Sequence, residues 1–365
     1  MEGTSEVDSS DITYWGQTLQ EQKDPKHCRI GFVNINGLGL FDTHNKNREF
    51  YSFTQGYDFD IFGMAETNVN WHVVPIKDRL FERSRSWWSL RHVSYSYLQR
   101  DIAIHRERHQ YGGTAVWTRN SMVHRVAESG KDRYGRWAWT RYRGLANRWF
   151  RVIAAYRPCM SREPNSVFQQ QLRNFPPGKA DPRSAFLEDL HRDLSQWIAD
   201  GDVVLVMLDA NESVLSGPLF DMFSSLLLVN LHCRDAHDRR HYPPLPTCSR
   251  ADPIDAMFGT PGLSPVSRGY TAPGVELSTD HSILWVDISL ESIFGSVVPV
   301  HLPLSSPSRL TCQDPRVVAK YNQLFLAYLQ EHRLSTKAFQ LQLEMAHLSP
   351  SELQSRYDSL DAQRL

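Results

Sequence analysis

Several apolar runs of this chain end in residues able to do chemistry. Asn34 and Asn36 close FVNING, Glu66 follows IFGMA, Asp209 and Asn211 close VMLDAN, Asp255 sits in PIDAMF, and Asp280 and His281 open the segment STDHSILWVDI. Side chains alternate along an extended strand, so Asn34 with Asn36, and Asp209 with Asn211, are expected to share a face. Carboxylate and amide oxygens, with water completing the shell, suit a hard divalent cation such as Mg2+, with Mn2+ as the alternative. Hydrolysis of a phosphodiester also needs an aligned water, a base to orient it, and positive charge where negative charge develops. Asp209 with Asn211 would hold the water. His281, kept protonated by a carboxylate such as Asp255, would face the phosphate.

Each residue also has a plainer reading. Asn36 before Gly37 suits a turn, Glu66 suits a cap on the TNVNW segment, and Asp209 suits the N-cap of a helix beginning at Asn211. Asp280 and His281 suit a solvated turn at a strand entrance. The combination and its order along the chain favour a site.

The elements that must position these residues are short. RIGFVNI, DFDIFGMAE, GGTAVWTR, WFRVIAAY, DVVLVML, PIDAMFG and HSILWVDI are strand-sized, rich in β-branched or aromatic residues, and bounded by Gly, Pro, Asn or Asp. Phe186, Leu187, Leu190, Leu194, Trp197 and Ile198 recur at helical spacing, which predicts a helix over residues 184–199 feeding the DVVLVML strand. A strand as apolar as VVLVML needs cover on both faces, by helices or a second sheet. Residues 1–27 are polar and aperiodic and are expected to form a disordered leader. The folded domain is expected over 28–290, a Pro/Ser-rich linker over 291–315, and a helical C-terminal extension over 316–365, where Val317, Val318, Tyr321, Leu324, Phe325, Tyr328 and Leu329 form an apolar stripe.

Bulk properties narrow the classes. The chain has 365 residues, 41% of them hydrophobic, enough for one large α/β domain with appendages or two smaller ones. A formal net charge of -1 means that attraction to nucleic acid must be local. Cys28, Cys159, Cys233, Cys248 and Cys312 are scattered without CxxC spacing, which argues against a disulfide framework or a zinc site and for a reducing, intracellular compartment. His232, His237 and His241 lack a zinc spacing as well, and a solvated loop is expected there. The acidic N-terminus does not read as a signal peptide, and no apolar run approaches a membrane span.

FVNINGL, GMAETN, YGGTAVW, IAAYRPC, VMLDANES, PIDAMF and STDHSIL, in this order, resemble the endonuclease/exonuclease/phosphatase superfamily over roughly residues 28–288. The NING sequence is most similar to the endonuclease domain of non-LTR retrotransposons. The resemblance implies a four-layer α/β sandwich of two packed, mostly antiparallel sheets flanked by helices. It implies Mg2+ (or Mn2+) at Glu66, Asn36 and Asp280, catalytic or orienting roles for Asp209, Asn211, Asp255, His281 and Tyr156, and a place for Asn34 in the metal and phosphate cluster. Asn34, Arg157 and Arg250 are expected to contact DNA phosphate. Two positions depart from the family pattern: Leu208 stands where a glycine is usual, and Cys159 where an asparagine is usual.

Arg and aromatics interleave between Lys77 and Arg151, as on nucleic-acid surfaces. Alternating strands with the rings inward and the arginines in solvent explain the same pattern. The expected function is therefore a metal-dependent DNA endonuclease of retrotransposon type, nuclear if it acts on genomic DNA, with a reverse transcriptase module as an expected partner in a longer parent element. The alternatives are a phosphatase or phosphodiesterase acting on inositol phosphates or lipid headgroups, and an inactive nucleic-acid-binding remnant.

Overall fold

The computed structural model describes residues 13–39, 46–99, 107–179, 181–233, 244–249, 252–297 and 315–362. The chain divides into two compact units, Met1–Leu302 and Pro303–Leu365.

The first unit is built on two sheets. The seven-stranded sheet contains β1 (Thr13–Gly16), β2 (His27–Asn34), β3 (Ile61–Ala65), β4 (Arg91–Ser96), β5 (Thr114–Arg119), β12 (Pro265–Thr271) and β13 (Leu284–Ser289). Its order is β1-β12-β13-β2-β3-β5-β4. The six-stranded sheet contains β6 (Val126–Lys131), β7 (Trp137–Arg143), β8 (Trp149–Tyr156), β9 (Asp202–Asp209), β10 (Val229–Asn230) and β11 (Asp255–Gly259), in the order β10-β11-β9-β8-β7-β6. Only β2 with β3 and β8 with β9 run parallel; every other pair is antiparallel.

Three apolar clusters give the layers. Ile30, Phe32, Val116 and Val286 of one sheet join Val152, Leu205, Met207 and Met257 of the other in the central core. The opposite face of the seven-stranded sheet buries Val33, Phe62, Met64 and Trp117 with Phe50 and Phe53 of α1 (Lys46–Gly56). The opposite face of the six-stranded sheet buries Ile153, Val204 and Val206 with residues from two later helices. Full burial of each such side chain contributes about 1.5–3 kcal/mol. Between the sheets, a Cβ on Gly63 of β3 would stand 2.4 Å from the terminal methyl of Met207 in β9, so glycine here lets the other sheet's methionine close in.

Two short helices, α2 (Leu80–Arg83) and α3 (Val167–Asn174), lie in the connections. The predicted helix is α4 (Pro182–Ala199), capped by the Asp181 carboxylate accepting from the Arg183 and Ser184 N–H groups. It covers the six-stranded sheet with α5 (Pro218–Ser225), through Phe186, Leu190, Leu194, Leu219 and Phe223. The second unit holds α7 (Pro315–Glu331), α8 (Leu334–Glu344) and α9 (Pro350–Ala362); α6 (Leu290–Phe294) belongs to the first. Among the described residues no helix is long and apolar enough to cross a membrane.

The expected boundaries need two corrections. Part of the supposed leader is folded: β1 pairs with β12, Trp15 and Leu19 are buried, and Lys23 bridges Asp58 at 2.7 Å. Its apolar anchors are too few and too irregular to show a periodicity. The linker starts later than expected, because Ile293 and Phe294 of α6 enter the central core. Residues 298–314 lie outside the described residues.

The Arg-rich stretch is partly folded inward: Arg119, Arg136 and Arg151 are buried, while Arg85, Arg108, Arg133, Arg143 and Arg148 are exposed. Arg136 pairs with Asp132 and Asp189, and Arg119 with Asp58, each at 2.8 Å. Arg151 meets Asp202 at 2.8 Å and stacks between Trp139 and Trp197, 4.2 and 4.5 Å from their ring centres. The rings and guanidinium groups pack on each other in cation–π contacts, so interleaving reflects the fold here. Asp202→Ala leaves Arg151 buried without its partner and is expected to lower unfolding free energy by about 3–5 kcal/mol in urea titration.

Candidate active site

The two parallel pairs determine where chemistry can gather. Because β2 runs with β3 and β8 with β9, Asn34 stands level with Ala65, one residue before Glu66, and Tyr156 level with Asp209. Antiparallel β11 starts where β9 ends, which sets Asp255 opposite Asp209. Asn34 then joins the sheets: its Nδ2 donates to Asp209 Oδ2 at 2.8 Å and to Glu66 Oε2 at 3.1 Å. The loop before β13 is fastened to the same strand end by the Thr279 hydroxyl, which donates to the Asn34 carbonyl at 2.6 Å.

Asp209 is 1% exposed. Burial, with the negative charges of Asp255 and Glu66 added, pushes its carboxyl up to about 8 against the opposing pull of His281. Its Oδ1 accepts the Asn211 N–H at 2.9 Å. His281 Nδ1 lies 2.8 Å from Asp255 Oδ2. Burial alone would lower the histidine, but Asp255 and then Asp209 outweigh it and raise the pKa to about 10. The raised pKa favours the imidazolium form of His281. One polar atom each of Asp209, Asp255 and His281 lie within 4.8 Å of one another, a buried cluster at the strand ends. Tyr156 is buried against Glu66, and burial with the Glu66 and Asp209 carboxylates holds its hydroxyl well above the usual range.

The co-facial argument for the asparagines does not survive. β2 ends at Asn34, and Asn36 has φ +44°, so alternation stops before it; its N–H instead donates to Asn34 Oδ1 at 2.9 Å. Asn211 likewise has φ +51°, and its Nδ2 donates to the Arg157 carbonyl at 2.9 Å while Oδ1 accepts from the Cys159 thiol. Glu66 has φ +48°. Three strand-end residues in the left-handed region, one of them a glutamate, are strain of about 1–3 kcal/mol each, held where polar groups converge. No helix begins at Asn211, as α5 starts at Pro218, so the N-cap reading of Asp209 also falls.

The structure leaves some expected members apart. Arg157 is buried and paired with Glu212, which also accepts from Arg183 at 2.6 Å. Its N–H donates to the Asp209 carbonyl at 2.9 Å. Asp280 is exposed, next to buried His281. Arg250, His237 and His241 lie outside the described residues. His232 is buried with its Nε2 3.3 Å from the Trp285 carbonyl, and burial lowers its pKa to about 3.

One residue was missed. The Thr247 hydroxyl donates to Asp255 Oδ2 at 2.6 Å while accepting the Ile254 and Asp255 N–H groups at 3.2 and 3.1 Å. It fixes the carboxylate that holds His281. In sequence it is one threonine in a loop, and only folding brings its hydroxyl to Asp255.

Residues and charge fit a divalent cation. Glu66 is half-buried with exposed Asn36 and Asp280 on neighbouring loops, an oxygen-only set. The crowding of negative charge that raises Asp209 is what a dication relieves, and Asp255 Oδ1 is buried without a hydrogen-bond partner.

No family model matches the sequence, and no curated protein matches it. Solved structures do. The Xenopus laevis APE2 catalytic domain superposes with TM-score 0.50 at 17% identity, over 72% of this chain and 91% of that one. The AP endonuclease LMAP from Leishmania major gives 0.54 at 12% identity, over 79% and 96%. The human Nocturnin catalytic domain with bound sulfate anion gives 0.51 at 15% identity, over 72% and 93%. At these identities the likeness shows the fold, an α/β sandwich of the endonuclease/exonuclease/phosphatase kind.

A raised folded-state pKa means that the folded protein binds the proton more tightly than the unfolded chain. The His281 contribution to stability is therefore fully present below about 6.5 and lost as pH rises toward about 10. Urea unfolding of wild type and His281→Gln at pH 6 and pH 9.5 should show the stability gap between them narrowing at the higher pH.

Proposed function

We propose that this chain, folded as endonuclease/exonuclease/phosphatase proteins are, is a divalent-metal-dependent phosphodiester hydrolase that nicks duplex DNA. The observation that carries the reading is the convergence, at one edge of the sandwich, of a buried carboxyl (Asp209), an imidazolium held by a buried carboxylate (His281 with Asp255), and the half-buried carboxylate of Glu66. A base and a fixed positive charge on neighbouring strand ends are what attack on a phosphorus centre requires.

In this mechanism Asp209, which would be ionised once a bound dication offsets the neighbouring negative charge that raises its pKa, receives the proton of the attacking water. Asn34 and the Asn211 backbone hold one bond to each of its oxygens, which fixes the plane of the carboxyl and leaves lone pairs for the water. His281 donates from Nε2 to a phosphate oxygen as charge develops, while Asp255, itself fastened by Thr247, keeps the ring charged and aligned. Tyr156, in contact with Glu66, holds that carboxylate at the mouth. Glu66, Asn36 and Asp280 would hold Mg2+ or Mn2+, which when bound supplies Lewis-acid neutralisation of the phosphate. Asn34 acts here through Asp209 and Glu66, an orienting role in place of the phosphate contact expected from sequence.

DNA as substrate is supported by one of the fold neighbours, which carries the name of an AP endonuclease, and by the NING sequence, whose likeness is to retrotransposon endonucleases. Supercoiled plasmid incubated with Mg2+ should be nicked. Glu66→Ala and His281→Ala should each slow nicking about 100- to 1,000-fold, and chelation should abolish it. Intact plasmid with phosphate released from inositol phosphates or sphingomyelin would move the reading to a small-molecule phosphatase. Salt-sensitive DNA binding without turnover would make the protein a binding remnant.

A further inference from the structure

We propose that the first turn of α1 is a positioning element for the reaction, with Lys46 fixing the turn that carries Asn36 and Glu49 fixing the loop that carries Asp280 and His281. The inference rests on the hydrolase reading and adds to it residues that touch neither water nor phosphate.

Lys46 and Glu49 are one turn apart, so their side chains leave the helix on the same side. Lys46 Nζ donates to the Ile35 carbonyl at 2.8 Å and to the Asn36 carbonyl at 3.1 Å. Between these two peptides lies the backbone that takes Asn36 to φ +44°. An ammonium on two successive carbonyls adds to the backbone ties of that strained turn, in which the Gly37 and Leu38 N–H groups donate to the Glu66 and Thr67 carbonyls at 2.7 and 2.9 Å. Asn47 adds a third tie, its Nδ2 donating to the Gly39 carbonyl at 3.2 Å. Glu49 reaches the other way: its Oε2 accepts the Ser278 N–H and its Oε1 the Ser278 hydroxyl, both at 3.0 Å. Ser278 is two residues before Asp280 and three before His281.

The two loops are already joined by the Thr279 hydroxyl, which donates to the Asn34 carbonyl. Lys46 and Glu49 add a second line of contact through a rigid helix, whose Phe50 and Phe53 are buried in the layer below. Two lines of contact fix an angle where one fixes only a distance. The spacing between Asn36 and the Asp280–His281 pair is thereby set by α1. Charge supports the same placement, since the Lys46 ammonium feels both Glu49 and Asp280. Misplacing reactive groups by about 1 Å costs about 100-fold in rate, so this clamp bears on turnover more than on substrate affinity.

Hydrogen exchange and steady-state nicking of Lys46→Met, Lys46→Arg and Glu49→Ala test this together. Lys46→Met should speed amide exchange in peptides covering 34–38, and Glu49→Ala in peptides covering 277–282. In the nicking assay kcat should fall about 10- to 100-fold with KM for a short duplex changed less than about twofold, and Lys46→Arg should recover most of kcat. Unchanged exchange in both loops overturns the inference whether or not the wild type cleaves DNA. Faster exchange with unchanged kcat overturns it as well, because the ties would then be structural only. A rise in KM at constant kcat makes Lys46 a direct phosphate contact and overturns it too. A wild type that cleaves no DNA overturns the functional reading alone, and the exchange result still decides whether α1 fixes the two loops.

Discussion

A carboxyl group buried where two sheets meet has to be held from both sides, and Asp209 is held by Asn34 from the opposite sheet. That one hydrogen bond joins the ends of β2 and β9 and passes on to Glu66 through the same amide nitrogen. The parallel pairing of β2 with β3 and of β8 with β9 makes it possible, because strand ends from both sheets then open at one edge. The rest of the site follows from this join: Asp255 is brought opposite Asp209 by antiparallel pairing, and His281 is brought to Asp255 by the loop that Thr279 fastens to Asn34. The cost is a crowd of negative charge in a poorly solvated place, expressed as the raised Asp209 pKa and offset within the chain by the His281 imidazolium.

Outer helices complete the arrangement on both sheets. On the seven-stranded side α1 reaches the loops with Lys46 and Glu49. On the six-stranded side Arg183, at the start of α4, donates to the Pro158 carbonyl and to Glu212, which also pairs with Arg157. The loops that carry Asn36, Asn211 and His281 are irregular and include left-handed residues, and backbone bonds such as Gly37 N–H to the Glu66 carbonyl and Ser282 N–H to the Thr247 carbonyl hold them in part. Charged side chains from the first turns of helices add further ties.

Much of this arrangement is legible in the sequence, for particular reasons. FVN, IFGMAE and VVLVMLD are apolar runs ending in a polar residue, and their length and β-branched or aromatic content favour buried strands. Glu66, Asp209, Asp255 and His281 stand out because each lies at the end or start of such a run, whereas Tyr156 is marked only by the family resemblance. Strands β1, β4, β6 and β12 escaped notice since they are edge or near-edge strands with mixed polarity, where burial on one face leaves a weak pattern. The facing of Asn36 and Asn211 was misjudged because alternation was extended two residues past the strand ends, into positive-φ backbone that a sequence does not announce. Arg157 and the Arg/Trp-rich strands were read for charge, whereas buried aspartates and a glutamate far along the chain, Asp189, Asp202 and Glu212, claim them on folding. Thr247 and Lys46 act through side-chain hydrogen bonds across irregular loops, and periodicity carries no trace of such contacts.

The central claim is that the buried Asp209 carboxyl, oriented by Asn34, takes the proton from the water that attacks a phosphodiester. Single-turnover cleavage of a short DNA duplex by Asp209→Asn tests it most directly, because the amide keeps the size of the carboxyl but cannot accept that proton, at the cost of one of the two bonds that Asp209 accepts from Asn34 and Asn211. The account predicts a cleavage rate lower by about 100- to 10,000-fold with duplex binding retained. Cleavage by Asp209→Asn at the wild-type rate would contradict it.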